Sequence, residues 1–132
     1  DVRHVLKLDR QTQIWNRASL ESGGATPAAG DIALASLLLA HGLAMNGGVA
    51  HAIESLSQAE IAAAIDGFNY FGLTDASHVF EQRPDDSEDV EERLNMMYRT
   101  AVPNDRVLAH AFRVKLVSTP SAFAPIDHGA HV

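Results

Sequence analysis

Cysteine is absent from the 132 residues. That excludes disulfides, thiolate nucleophiles and cysteine-based zinc sites. Lysine is nearly absent: Lys7 and Lys115 stand alone among basic residues that are otherwise arginine. With 10 basic against 17 acidic groups the formal net charge is −7, which argues against a broad basic face for DNA, RNA or anionic lipid. Aromatic residues make up only 6%. They cluster where the chain is acidic, whereas a stacking platform for single strands interleaves them with cations. The longest apolar run, Ile32 to Met45, is 14 residues and is interrupted by Ser36 and His41. It is too short to span a bilayer and suits a buried helix. No signal-peptide pattern is evident, and Asp1 in place of methionine reads as a processed or trimmed chain. The expected location is the cytoplasm. Neither a Gly-x-Ser-x-Gly elbow nor a zinc-protease His-Glu-x-x-His helix occurs.

What is present suits one globular domain over residues 1–132, at 46% apolar and 20% charged content. Residues 3–18 read as a helix with Val5, Leu8, Thr12 and Trp15 inward and Arg10, Gln13 and Arg17 toward solvent. A glycine- and proline-rich loop follows, so residues 1–30 form an N-terminal helix and loop. Asp31 is placed as the N-cap of a helix to Met45 that is apolar nearly all round, hence central. Asn46-Gly47-Gly48 ends that helix, and a short helix follows from Val49 to Ser55 or Leu56. Ser57-Gln58-Ala59-Glu60 has the form of a capping box. Its helix carries an Ile61, Ile65, Phe68 stripe and stops at Gly72, and Gly67 inside it implies close packing against a neighbour.

Thr74 or Asp75 starts a helix to about Arg83, ended by Pro84. Ser87 caps the next helix, with Val90, Leu94, Met97 and Ala101 inward. Asn104 or Asp105 caps the last, to about Val117. Residues 112–117 also alternate as a strand would, but a lone strand has no sheet to join. The expected fold is therefore all-α: six or seven helices packed around residues 31–45, a helical core over 31–117, and an irregular tail over 118–132 that Phe123 and Ile126 pin to the core.

The charge is uneven. Residues 31–92 hold twelve acidic groups and one basic group, Arg83, while both flanking segments are net basic. The densest run is Asp85, Asp86, Glu88, Asp89, Glu91 and Glu92. It reads either as a solvated loop and helix start, or as a docking surface for a basic partner.

Seven histidines invite a metal or acid–base reading, but no spacing supports a metal site, and no cofactor or catalytic residue is assigned. His41 and His51 draw most interest because they flank the Asn46-Gly47-Gly48 turn. Together they define a second hypothesis, a ligand or enzyme pocket beside that turn. The two glycines before a short helix also suit an anion site, or simply a tight turn.

Leu43-Ala44-Met45-Asn46-Gly47-Gly48 and Phe68-Asn69-Tyr70-Phe71-Gly72-Leu73 together resemble an all-helical bacterial domain family of largely unknown function that includes a DNA-mimic protein. The family's helix ends in Asn-Gly-Gly, followed by an aromatic residue and a nearby glutamine. Here Asn46, Gly47 and Gly48 match, whereas Val49 replaces the aromatic and His51 the glutamine. The resemblance spans roughly residues 31–117. It implies a non-enzymatic helical domain and, in its most specific form, carboxylates that imitate phosphates toward a basic DNA-binding regulator.

The leading expectation is thus a protein-interaction module with an acidic surface, without direct nucleic-acid or membrane binding. A structural or oligomerisation domain is the third reading, favoured by apolar surface on the Phe71 or Met96 side.

Overall fold

Caps and stop signals set most of the helix boundaries. The computed structural model describes residues 9–85 and 87–126, which hold seven α-helices and no strand. They are α1 (Arg10–Glu21), α2 (Ala29–Gly47), α3 (Val49–Ser55), α4 (Gln58–Tyr70), α5 (Thr74–Phe80), α6 (Glu88–Ala101) and α7 (Asp105–Ser118), followed by a 3-10 turn at Pro120–Ala122. The all-α expectation holds, and residues 112–117 are helical.

The capping box at α4 is reciprocal: Ser57 Oγ accepts from the Glu60 N–H, and Glu60 Oε1 from the Ser57 N–H. Gly72, at φ +76°, closes α4 in a Schellman turn, with Leu73 N–H donating to Phe68 O and Gly72 N–H to Asn69 O. Ser87 caps α6 and Asn104 caps α7 through their side chains.

Several boundaries differ from the sequence reading. Helix α1 begins after Asp9, whose extended backbone and carboxylate cap the Thr12 N–H, and it runs on to Glu21. Val5 and Leu8 of the expected stripe lie outside the described residues. Helix α2 begins at Ala29, because Asp31 sits in the first turn, where its side chain reaches back to the Ala28 N–H. Helix α5 stops at Phe80, before Pro84 acts: the N–H groups of Glu81 and Gln82 turn to carbonyls three residues back.

Helix α2 packs against α1, α3 and α4. It is the one described helix long and apolar enough to cross a membrane by length and composition. Here its Leu34, Leu37 and Ala40 enter a core built with Ile14, Phe68, Phe80, Leu94 and Phe112. Gly67 permits the α2/α4 crossing: a Cβ there would lie 2.5 Å from the Ala33 carbonyl oxygen. The sequence stripe of α4 is rotated slightly, so that Ala64, Gly67 and Phe68 are buried while Ile61 and Ile65 are half-buried.

Arg17 is not a solvent-facing residue. Its Nη2 lies 2.8 Å from Asp31 Oδ1, and Asp31 is fully buried. The other carboxylate oxygen of Asp31 accepts the N–H of Ala28 at 3.0 Å and of Ala124 at 2.7 Å. Arg17 also donates to the carbonyls of Ala124 and Pro125. This knot ties α1, the start of α2 and the C-terminal segment together. Phe123, buried between Phe71 and Phe112, adds an apolar anchor.

Candidate functional site

Ten of the twelve acidic residues of the 31–92 segment are exposed. Asp31 is neutralised in the core, and Asp86 lies outside the described residues. The exposed carboxylates do not line a single groove. Glu60 belongs to a groove over α2, Glu81 to one between α4 and α5, and Asp75, Asp89 and Glu92 to one between α5 and α6.

The α5/α6 groove combines charge with apolar surface. It has a volume of about 590 Å³. Asp75 enters from α5, and Asp89 and Glu92 from the first turns of α6. Val79, Met96 and Met97 supply apolar surface. On α6 the positions 89, 92, 93, 96 and 97 recur at helical spacing and form one face. Leu94 and Tyr98 point the other way, into the core. Met97, expected in the inward stripe, is 36% exposed, and Met96 is 63% exposed. Arg93 is the one cation of the groove with a fixed charge; His78 pairs instead with Glu81, 3.1 Å away.

Glu88, Asp89 and Glu91 stand in the first turn of α6, where the helix dipole favours anions. Asp85 accepts the Ser87 N–H at 2.8 Å. That hydrogen bond, helped slightly by Arg93, holds its carboxyl below the usual carboxylate range. The acidic run therefore has a local structural role at the helix start, and all five of its described members remain exposed.

The second candidate, His41 with His51, is arranged differently. His41 is buried, with Nδ1 2.7 Å from the Tyr98 hydroxyl and Nε2 2.8 Å from Asp105 Oδ1. The Asp105 carboxylate can only accept, so Nε2 carries a proton. In the neutral ring Nδ1 then accepts the Tyr98 O–H. Burial, reinforced by the charge of Asp105, holds the Tyr98 phenol well above its ordinary value. Both ring nitrogens are thus engaged within the protein.

The groove of about 670 Å³ that His41 lines includes Asp105 but not His51, Asn46, Gly47 or Gly48. His51 is exposed and packs over Gly47, where a Cβ would meet its ring at 2.5 Å. Gly48 makes the Asn46-Gly47-Gly48 turn, at φ +91° and ψ 167°, a region essentially restricted to glycine. Asn95 of α6 accepts the Val49 N–H at 2.9 Å and packs on Gly48. The turn is a packed junction between α2, α3 and α6. Among the described residues no three His, Asp or Glu side chains converge as metal ligands.

Comparison with known proteins finds no matching family model, no matching curated protein and no matching solved structure.

Sequence reasoning found the acidic residues of α6 and weighed apolar surface on the Met96 side only for an oligomerisation domain; it placed Met97 inward, and the Phe71 side is buried. Met96 and Met97 carry a signal: adjacent methionines on an otherwise polar helix stretch form an adaptable contact surface. Asp75 joins the site only through the α5/α6 packing, which the sequence does not display.

Proposed function

We propose that this protein is a non-enzymatic interaction module that binds a basic, amphipathic segment of a partner protein in the α5/α6 groove. The observation that carries this reading is the pairing of an acidic rim, Asp75, Asp89 and Glu92, with exposed Met96 and Met97 in one groove. Carboxylates steer and orient a cationic ligand, and methionine side chains repack around varied apolar groups. Helix-in-groove recognition uses this combination.

Glu88 and Glu91 extend the negative field beyond the groove. With Asp89 and Glu92 they also favour the narrower reading, in which the basic partner is a DNA-binding regulator and the carboxylates take the place of phosphates. Duplex DNA carries about one charge per 1.7 Å of axis, so that reading requires the partner's own DNA to compete for the same surface.

The test is a calorimetric titration with a synthetic arginine- and leucine-rich amphipathic peptide. Binding is expected to weaken as salt rises and to fall at least tenfold in the D89K/E92K variant. It is expected to be unchanged in E60K, which alters a different groove. Equal binding by all three proteins, or no binding at any salt concentration, overturns the proposal. Displacement of the peptide by a regulator, and of that regulator's DNA by this protein, would support the narrower form.

A further inference from the structure

The described chain carries a basic, apolar ridge as well as an acidic, apolar groove. On α7 the inward residues are Leu108 and Phe112. Lys115 is also used within the chain, its ammonium 4.4 Å from the centre of the Tyr70 ring. The outward residues Arg106, His110, Arg113, Val114 and Val117 recur at intervals of 4, 3, 1 and 3, which places them on one helical stripe. All five are exposed, Val114 at 54% and Val117 at 83%. Among the described residues, neither guanidinium in the stripe has an ion pair. Two large apolar side chains flanked by these cations make a face without a partner among the described residues.

The ridge and the groove match in spacing as well as in charge. His110, Arg113 and Val117 are separated by 3 and 4 residues, and so are Asp89, Glu92 and Met96 on α6. Laid parallel at one helix rise per residue, α7 sets His110 against Asp89, Arg113 against Glu92 and Val117 against Met96. Resting on the reading of the α5/α6 groove given above, we infer that its basic occupant is α7 of a second copy of this chain. The contact joins unlike surfaces, ridge to groove, so each bound copy still offers a free ridge and a free groove. Such head-to-tail contacts build rings or open chains rather than two-fold dimers. One helix in one groove makes a small interface, of the kind found in weak, reversible association. The net negative charge of each copy opposes it at low salt, and a screening length of about 8 Å at physiological ionic strength removes most of that repulsion.

The test is sedimentation velocity of the full chain over the micromolar to millimolar range. The wild type is expected to form species larger than a dimer with rising concentration. D89R/E92R, which reverses the groove, and R106E/R113E, which reverses the ridge, are each expected to remain monomeric with wild-type helicity, the first melting slightly lower because a cation then stands at the start of α6. Mixed one to one, the intact ridge of the first variant meets the intact groove of the second. The reversed ridge of the second also complements the reversed groove of the first, so the mixture is expected to regain the head-to-tail association of the wild type. A wild type monomeric at every concentration, a ridge variant that associates as the wild type does, or a mixture that stays monomeric overturns the inference. The amphipathic-peptide titration separates the two failures. A monomeric wild type that still binds the peptide refutes only self-docking, whereas one that binds nothing refutes the groove reading as well.

Discussion

Replacing Asp31 by asparagine changes almost nothing in shape, yet it is expected to destabilise the fold severely. The carboxylate is fully buried. One oxygen faces the Arg17 guanidinium at 2.8 Å, and the other accepts the N–H groups of Ala28 and Ala124 at 3.0 and 2.7 Å. All three neighbours are donors. An asparagine amide must turn its own N–H₂ toward either the guanidinium or the two backbone N–H groups, so at least one donor faces a donor in either rotamer. Arg17, only 15% exposed, also loses its counter-ion, and its Nε already has no acceptor.

Breaking a buried ion pair from one side costs about 3–5 kcal/mol, against a total stability of about 5–15 kcal/mol for a domain. For a chain of this size the melting temperature falls by roughly 10–20 °C. Thermal and urea denaturation measure the loss. Amide exchange at Ala124 reports its location, because that N–H is held by Asp31. A loss below about 1 kcal/mol, the scale of an exposed pair, with Ala124 still protected, would refute the claim that this knot secures the C-terminal segment.

Gly67→Ala is expected to destabilise by about 1–3 kcal/mol, because its Cβ meets the Ala33 carbonyl at 2.5 Å. Gly42→Ala, on the open side of α2 with nothing within 4 Å of its Cβ, is expected to stabilise by up to about 1 kcal/mol. Urea midpoints that move in the same direction for both would contradict the packing account. The phenol of Tyr98 stays protonated in the folded state at pH values where the unfolded chain, with its tyrosine pKa near 10.0, has released the proton. Native binding of the extra proton makes stability fall as pH rises above 10, by up to about 1.4 kcal/mol per pH unit. Tyr98→Phe is expected to remove that slope, and to lower stability near neutrality by about 1–3 kcal/mol through the orphaned Nδ1 of His41. Parallel stability curves for the two proteins between pH 9 and 11 would count against it.

The helices are legible in the sequence because their signals are local. Ser57 with Glu60, Ser87, Asn104 and Gly72 each act within about one helical turn, and each is where it was expected. The unbroken apolar character of residues 32–45 likewise marks the central helix. Helix ends misread from the sequence involve a competing local bond: the carboxylate of Asp31 can cap from the first turn as well as from the cap position.

Contacts between distant residues are not legible. Asp31 meets Ala124 across 93 positions, and His41 meets Tyr98 and Asp105 across 57 and 64. Nothing in the periodicity of α1 marks Arg17 as a buried ion rather than a solvated one. The same limit applies to the candidate site. The acidic run stands out in composition, but the inward face of α6 is decided by Leu94 and Tyr98. That choice turns Met96 and Met97 outward beside Asp89 and Glu92.

Methyl resonances of methionine test the central claim most directly. The chain has three methionines, and two of them, Met96 and Met97, line the α5/α6 groove, while Met45, as exposed as Met96, does not line it. In a protein labelled at the methionine methyls, titration with the basic amphipathic peptide is expected to shift Met96 and Met97 and leave Met45 in place. Resonances that do not move, or a Met45 shift as large as the other two, would contradict a specific acidic, methionine-floored binding groove.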